Sequence, residues 1–147
     1  MIAFLLSLSF AFPVGMQGEQ AVFSMQGLQL KGERFSWNGL ALQVDGGVQV
    51  DYKDVHIESQ HLTIHFTKER ELLSMSLLGS VLLVHNDWSG GAEHLQWTKS
   101  DALISMSGSA HLSDLNWEFQ GEQISFSVET EQVECIADCS ARLKPKP

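Results

Sequence analysis

The fold is decided by the stretch GSAHLSDLNWEFQGEQISFS, which runs from Gly108 to Ser127 and repeats a pattern found earlier in the chain. In its inner part, Gly121–Phe126, apolar side chains occupy every second position, and this spacing predicts a β-strand with one buried face. When the stretch is shifted back by 29 residues, Trp117 aligns with Trp88 and the apolar positions continue to coincide. The stretch is therefore one copy of a repeat.

Further shifts of 33 and 27 residues reveal four units, at about residues 17–46, 47–79, 80–108 and 109–137. Each unit contains a small residue followed by an acid or amide, at Gly32-Glu33, Ser59-Gln60, Ala92-Glu93 and Gly121-Glu122. Clusters such as Asp45-Gly46-Gly47 and Ser89-Gly90-Gly91 predict turns between short strands. Because one such unit cannot bury its own apolar face, we predict an all-β, single-domain array of about four stacked repeats.

Stacking the units places apolar side chains on one face and polar side chains on the other. Residues at the same position of successive units form rows, which we call ladders, and two separate apolar ladders are Phe35, Leu62, Leu95, Ile124 and Val44, Leu77, Met106, Cys135. Two further apolar ladders begin at Val48 and Val50. The apolar faces must then either meet each other across a sandwich or surround a lipid. The residues that we expect on the apolar face, as candidates for lipid contact, are Phe35, Trp37, Leu42, Val44, Leu62, Ile64, Met75, Leu77, Leu95, Trp97, Ile104, Met106, Ile124 and Phe126.

Length and composition favour one folded domain and argue against nucleic acid as a partner. The 147 residues are 44% hydrophobic and 18% charged, which suffices for a core without metal or disulfide support. The chain carries 9 Lys and Arg against 18 Asp and Glu, giving a formal net charge of −9. No basic stripe is available to neutralise a phosphate backbone.

The first fifteen residues, MIAFLLSLSFAFPVG, form an uncharged apolar run that ends near Pro13. A membrane-spanning helix needs about 20 apolar residues, and a shorter run is typical of a signal peptide. We therefore predict a signal peptide at 1–18, a β-domain at 19–141 and a tail at 142–147. A buried N-terminal strand and a membrane anchor remain alternatives.

Several units share the pattern small-acid-x-aliphatic-x-aromatic, as in Ala92-Glu93-His94-Leu95-Gln96-Trp97 and Gly121-Glu122-Gln123-Ile124-Ser125-Phe126. Together with the linking step Met106–Leu112, this pattern resembles the LptA/OstA-like family of lipopolysaccharide-transport proteins over about residues 20–141. The resemblance implies an open, V-shaped β-jelly roll in the periplasm that shields lipid A acyl chains in an apolar groove. It also implies head-to-tail joining of edge strands, with copies of itself and related components, into a bridge between the membranes.

Two alternatives to this interpretation stay open. The membrane-anchored LptC-like relatives share the fold and the cargo, and a structural β-repeat polymer of the cell envelope would have a closed core. The volume of the groove discriminates the carrier from the polymer. Because the chain is acidic overall, the phosphates of such a cargo would remain in solvent or contact local cations, namely Lys31, Arg34, Lys53 or Arg142.

Histidine and serine are frequent, yet we predict neither a metal site nor catalysis, and no cofactor. His61 and His65 lie about 13 Å apart on one strand. The repeat predicts that His61 and His94 lie on neighbouring rungs about 4.8 Å apart, in a solvated polar ladder without a nearby third ligand. The acids Glu33, Glu93 and Glu122 recur at one position, which indicates a structural role, because acid-base catalysis needs a unique pair.

Cys135 and Cys139 are four residues apart near the C-terminus. In a straight strand they are too far apart to bond, and a disulfide would need a bend at Ala137-Asp138 to close that gap. Both a disulfide and buried free thiols are compatible with the sequence. The two prolines after Arg142 predict that the chain leaves the sheet there.

Overall fold

The computed structural model describes residues 21–25 and 27–145, so the predicted signal peptide at 1–18 lies outside the described residues. In the described part the chain forms antiparallel strands and contains no helix long and apolar enough to span a membrane. The strands are β1 (Ala21–Met25), β2 (Leu28–Gly32), β3 (Arg34–Trp37), β4 (Ala41–Tyr52), β5 (Val55–Phe66), β6 (Leu72–His85), β7 (Trp88–Thr98), β8 (Leu103–Ser113), β9 (Trp117–Ser127), β10 (Val133–Ile136) and β11 (Ser140–Leu143).

These eleven strands form one sheet in the order β1-β2-β4-β5-β6-β7-β8-β9-β10, while β3 pairs with β4 and β11 pairs with β9. Each long strand shifts its register near its middle, which divides the sheet into two arms. The first arm contains β3, β10 and residues 41–45, 61–66, 72–78, 94–98, 103–107 and 123–127. The second arm contains β1, β2, β11 and residues 48–52, 55–59, 81–85, 88–92, 110–113 and 117–121.

Pairs of residues with positive φ make the bend between the arms. They are Gly46-Gly47, Gly79-Ser80, Gly108-Ser109 and Ala137-Asp138, with φ between 48° and 91°. The prediction of turns at Asp45-Gly46-Gly47 and Ser89-Gly90-Gly91 is therefore wrong, because these residues lie inside β4 and β7. Two consecutive left-handed residues bulge a strand and change its direction without ending it.

The repeated small-acid pair lies opposite each bulge. A Cβ atom on Gly46 would come within 2.7 Å of the Glu33 carboxylate, and one on Gly108 within 2.9 Å of the Glu93 Cβ atom. The second copy follows the same rule, because Gln60 covers Gly79. In these three copies the side chain after the small residue packs over the glycine backbone of the bend, which is a structural role of the kind expected for the recurring acids.

Each repeat contributes two bent strands, so the predicted ladders interleave with one another. In the register of the sheet, Leu77 lies between Leu62 and Leu95, and Met75 lies between Ile64 and Trp97. The sequence treated these residues as separate ladders. The structure merges them into two continuous rows, one of which is Phe35, Val44, Leu62, Leu77, Leu95, Met106, Ile124 and Cys135.

The all-β architecture is confirmed, but the predicted exit of the chain at Arg142 is wrong. Arg142 and Leu143 belong to β11, where they pair with Glu118 and Trp117 of β9. The next amide N–H, of Lys144, still donates to the Asn116 carbonyl oxygen at 2.6 Å. The next residue, Pro145, has no N–H to donate to the ladder.

Candidate functional site

The fourteen residues predicted to line an apolar face all lie on the inner face of the first arm. Eleven of them are at most 3% exposed, whereas Phe35, Trp37 and Trp97 are partly buried. Within this arm the strands alternate, so the outer neighbours of these residues are exposed or half-exposed, and most of them are polar, with Leu78 and Leu103 as exposed apolar exceptions. The predicted residues therefore form one continuous wall.

The sequence-based set omits a second wall, on the inner face of the second arm. This wall contains the row Leu30, Val50, Ile57, Leu83, Gly90, Leu112, Phe119 and Ala141. The ladder starting at Val50 was the available signal for it. The structure shows that it faces the first arm, because the Trp88 and Phe126 ring centroids are 5.4 Å apart and those of Tyr52 and Trp97 are 5.7 Å apart.

The two walls pack against each other, and their side chains fill most of the space between the arms. A gap of about 110 Å³ lies between the arms at their tips. We call it the slot. It is lined by Val50, Tyr52, Val55 and Ile57 of the second arm and by Met75, Trp97, Ile104 and Val128 of the first, with Lys53 and Glu129 at its exposed rim.

A polar contact joins the tips of the two arms beside the slot. Glu131, in the turn between β9 and β10, accepts a hydrogen bond from the Asn86 side chain at 3.4 Å, and its carboxylate lies 3.6 Å from the His85 ring. His85 is only 4% exposed, and its Nδ1 lies 3.2 Å from the Asp54 carbonyl oxygen. A carbonyl can only accept, so Nδ1 donates and Nε2 accepts from the Asn86 amide in neutral His85. We call this contact the clasp.

The outer face carries the other histidines, and the expected spacing of two of them is wrong. His61 pairs across the strands with Leu78, and Leu78 pairs with His94, so a whole strand separates the two rings. His94 instead lies 3.0 Å from the Ser76 hydroxyl, and His61 lies 2.8 Å from the Asp45 carboxylate. Among the described residues, no group of three His, Cys, Asp or Glu side chains has metal-binding geometry.

His56, also on the outer face, contacts two carboxylates. Its ring hydrogen bonds with Glu58 at 3.0 Å and with Asp51 at 2.7 Å. These two carboxylates, Glu58 more than Asp51, raise the pKa of His56 above its ordinary value of 6.5, and partial burial opposes them. His56 and the two carboxylates thus form a group of ion pairs on the surface of β4 and β5.

Cys135 and Cys139 are joined by a disulfide, with Cα atoms 5.9 Å apart. The intervening Ala137 and Asp138 have φ values of 70° and 52°, so the chain bends between the two cysteines. Both sulfur atoms face the bare backbone of Gly121, where a Cβ atom would collide with the Cys135 sulfur. The disulfide therefore lies on the bend line at the C-terminal edge of the sheet.

A single antiparallel sheet folded over an apolar interior is a β-jelly roll of the kind found in lipopolysaccharide-transport proteins. The structure is similar to that of LptH, the LptA-homologous periplasmic component of the lipopolysaccharide transport device from Pseudomonas aeruginosa. The TM-score is 0.75 at 11% sequence identity, over 82% of this chain and 96% of that chain. At this identity the similarity establishes the fold, and it confirms the predicted jelly roll.

The sequence of the chain also identifies its family. A family model described as LptA/(LptD N-terminal domain) LPS transport protein matches residues 41–132, which is more than half of the chain. The chain belongs to this family of transport proteins. Among curated protein sequences, none matches it significantly.

Proposed function

We propose that the chain is a periplasmic carrier of lipopolysaccharide that holds the acyl chains of lipid A between its two arms. The observation that carries this proposal is the pair of facing apolar walls in a member of a lipopolysaccharide-transport family. Each methylene group transferred from water gains about 0.8 kcal/mol, so apolar walls bind a lipid without catalytic residues. Met75 and Met106 add adaptable side chains to the first wall.

The carrier function requires the arms to separate. The slot of about 110 Å³ is smaller than a cavity of ~150 Å³ that accepts one benzene molecule, so several acyl chains cannot fit between the closed arms. Separation exposes apolar side chains, and the cargo compensates by covering them. The cargo thus replaces the opposite wall as the partner of residues such as Ile64 and Leu83.

We further propose that copies of the chain, or related components, join end to end through their edge strands. The apolar row that starts at Phe35 in β3 ends at Cys135 in β10, so it reaches both edges of the first arm. Pairing of β10 with β3 of a second copy would continue this row without a break. Exposed Arg34 in β3 and Glu134 in β10 provide opposite charges for that pairing.

For the N-terminal segment, we propose export with removal of residues 1–18, with an LptC-like membrane anchor as the alternative. Mass spectrometry of the protein isolated from cells distinguishes the two. Cleavage predicts a mature N-terminus close to residue 19, and anchoring predicts an intact residue 1 in the membrane fraction.

A structural polymer with a closed core is the second candidate, and the near-complete burial of the inner walls favours it. Native mass spectrometry of the purified protein mixed with lipopolysaccharide separates the two candidates. The carrier predicts a complex of one protein with one lipopolysaccharide molecule that survives detergent removal. Oligomers free of lipid at every lipopolysaccharide concentration would favour the polymer instead.

A further inference from the structure

The inner walls pack tightly along most of their length, and the slot interrupts that packing at one place. Val55 and Ile57 form one side of the slot, and Trp97 and Val128 form the other. Protein interiors leave few voids larger than a water molecule, so an apolar gap of about 110 Å³ that opens at the arm tips is a distinct structural feature. Its lining suits an alkyl group.

Charge is unevenly distributed among the turns at the arm tips. The turns between β4 and β5, between β5 and β6 and between β7 and β8 carry four of the eight described Lys and Arg residues, namely Lys53, Lys68, Arg70 and Lys99, together with the acids Asp54, Glu69, Glu71 and Asp101. The turns between β6 and β7, between β8 and β9 and between β9 and β10 carry Asp87, Asp114, Glu129 and Glu131 and no Lys or Arg. The rim of the slot combines one residue of each group, Lys53 and Glu129, so in a chain with a net charge of −9 the slot has a local cation available to an anionic molecule.

One cation is fixed at the rim of the slot itself. Lys53 is exposed in the turn between β4 and β5, and its ammonium group lies 5.3 Å from the centre of the Tyr52 ring. Tyr52 in turn makes an edge-to-face contact with Trp97 across the opening between the two arm tips, which we call the mouth. A positive charge thus stands above an apolar opening, which matches an anionic head group attached to an alkyl chain.

We propose that the slot is a preformed subsite for one acyl chain of an anionic lipid, with Lys53 as the partner of its phosphate group. This inference rests on the proposed carrier function and specifies where the cargo first inserts. Because the slot accommodates only the end of a single chain, its occupation precedes separation of the arms. The clasp closes the adjacent part of the mouth, so insertion begins on the Tyr52–Trp97 side.

The test uses a single-chain probe, dodecyl phosphate, below its micelle concentration, with the fluorescence of Trp97 and the other tryptophans as readout. Val128→Phe fills the slot and should weaken binding about tenfold, since roughly two methylene groups lose their burial. Val133→Phe is the matched control, because Val133 is also a partly buried inner valine of the first arm but does not line the slot. The control should change affinity less than twofold.

Two rim variants test the charge. Lys53→Gln should weaken dodecyl phosphate about threefold and leave the uncharged dodecyl maltoside unchanged, and Glu129→Gln should strengthen dodecyl phosphate by a similar factor. Equal effects on the two probes would overturn the role of Lys53. Circular dichroism establishes that each variant is folded before binding is compared.

Lipopolysaccharide binding is measured in parallel, so that failure of this inference is distinguishable from failure of the carrier function. If the wild type binds lipopolysaccharide but not dodecyl phosphate, or if Val128→Phe binds both as tightly as the wild type, the slot assignment is overturned and the carrier function stands. If the wild type binds neither molecule, both proposals are overturned. Loss of both ligands in Val128→Phe with retention in Val133→Phe supports the slot.

Discussion

At the scale of single residues, the bend between the arms depends on glycine where a side chain crosses the bulge. Gly108 has φ +85°, and a Cβ atom there would lie 2.9 Å from the Glu93 Cβ atom. Gly27 has nearly the same φ, +83°, but a Cβ atom on it would have no neighbour within 4 Å. Alanine at Gly27 therefore introduces backbone strain alone, whereas alanine at Gly108 introduces the same strain and a steric contact.

We expect Gly27→Ala to lower the free energy of unfolding by about 1–2 kcal/mol, the cost of a left-handed conformation for an L-residue. Gly108→Ala should cost about 1 kcal/mol more, because its new methyl group meets Glu93. Urea denaturation followed by tryptophan fluorescence measures both values. Equal losses for the two variants would contradict a packing role for the repeated acid.

His56 gives the folded protein a proton-linked contribution to stability. Since Glu58 and Asp51 raise its pKa in the folded state, the folded protein binds this proton more tightly than the unfolded chain does. The contribution is fully present below the unfolded pKa of about 6.5 and is lost as the pH rises through the higher, folded pKa. His56→Gln should remove this part of the pH dependence of the unfolding free energy.

A proton NMR titration of the His56 ring measures the pKa directly. The wild type should titrate above 6.5, and Glu58→Gln should bring the midpoint down towards 6.5. A wild-type midpoint at or below this ordinary value would show that the two carboxylates do not stabilise the charged ring.

At the scale of elements, sequence periodicity predicted the strands and misplaced the bends. Alternation of apolar and polar residues reveals a strand, and it identified the part of β9 at Gly121–Phe126 directly. A Gly-Gly or Gly-Ser pair looks alike in a hairpin turn and in a bulge, because both need positive φ. Only pairing across the sheet shows that Gly46-Gly47 bends β4 without ending it.

The disulfide stabilises the bend between β10 and β11 at the C-terminal edge. Its loop is short, so replacing Cys135 and Cys139 together by serine should lower the free energy of unfolding by roughly 2 kcal/mol. Hydrogen exchange should accelerate in β10 and β11 and stay unchanged in β5. Titration of free thiols in the denatured wild type provides the control, and detection of two thiols would contradict the disulfide.

The clasp holds the arm tips together by an exposed contact that contributes about 1 kcal/mol or less. Glu131→Ala should therefore lower global stability only slightly while widening the distance between the tips. Spin labels at Asp87→Cys and Ser100→Cys, two exposed tip positions, report that distance by electron-electron resonance. Glu134→Ala removes an exposed acid from β10 outside the clasp and is the control. An unchanged distance distribution in Glu131→Ala would show that the clasp does not restrain the arms.

At the scale of the whole molecule, the sequence predicted apolar ladders for both walls of the interior, but the candidate residues for lipid contact were all taken from the first wall. The fourteen candidate residues share the first arm because they follow the most regular part of the repeat. The second wall contains Gly90 and Ala141 in place of large apolar residues, which weakens its pattern. That the two walls face each other follows from the bend, which a sequence of alternating residues does not specify.

The structure shows the two walls in contact, and the proposed carrier function requires a second state with cargo between them. A carrier must exchange one for the other, and both walls must then touch the same lipid. A structural polymer joined through its edge strands needs only the state in which the walls are in contact. Contact of each wall with lipid is therefore the property that separates the two candidates most directly.

Site-specific photocrosslinking to lipopolysaccharide tests this property, with p-benzoylphenylalanine at Ile64 in the first wall and at Leu83 in the second. Thr63 and Leu82, the outward-facing neighbours, are the matched controls. The carrier predicts crosslinks from both inner positions and background levels from both outer positions. Crosslinks that are absent from Ile64 and Leu83 in folded protein, or equally strong from Thr63 and Leu82, would contradict it.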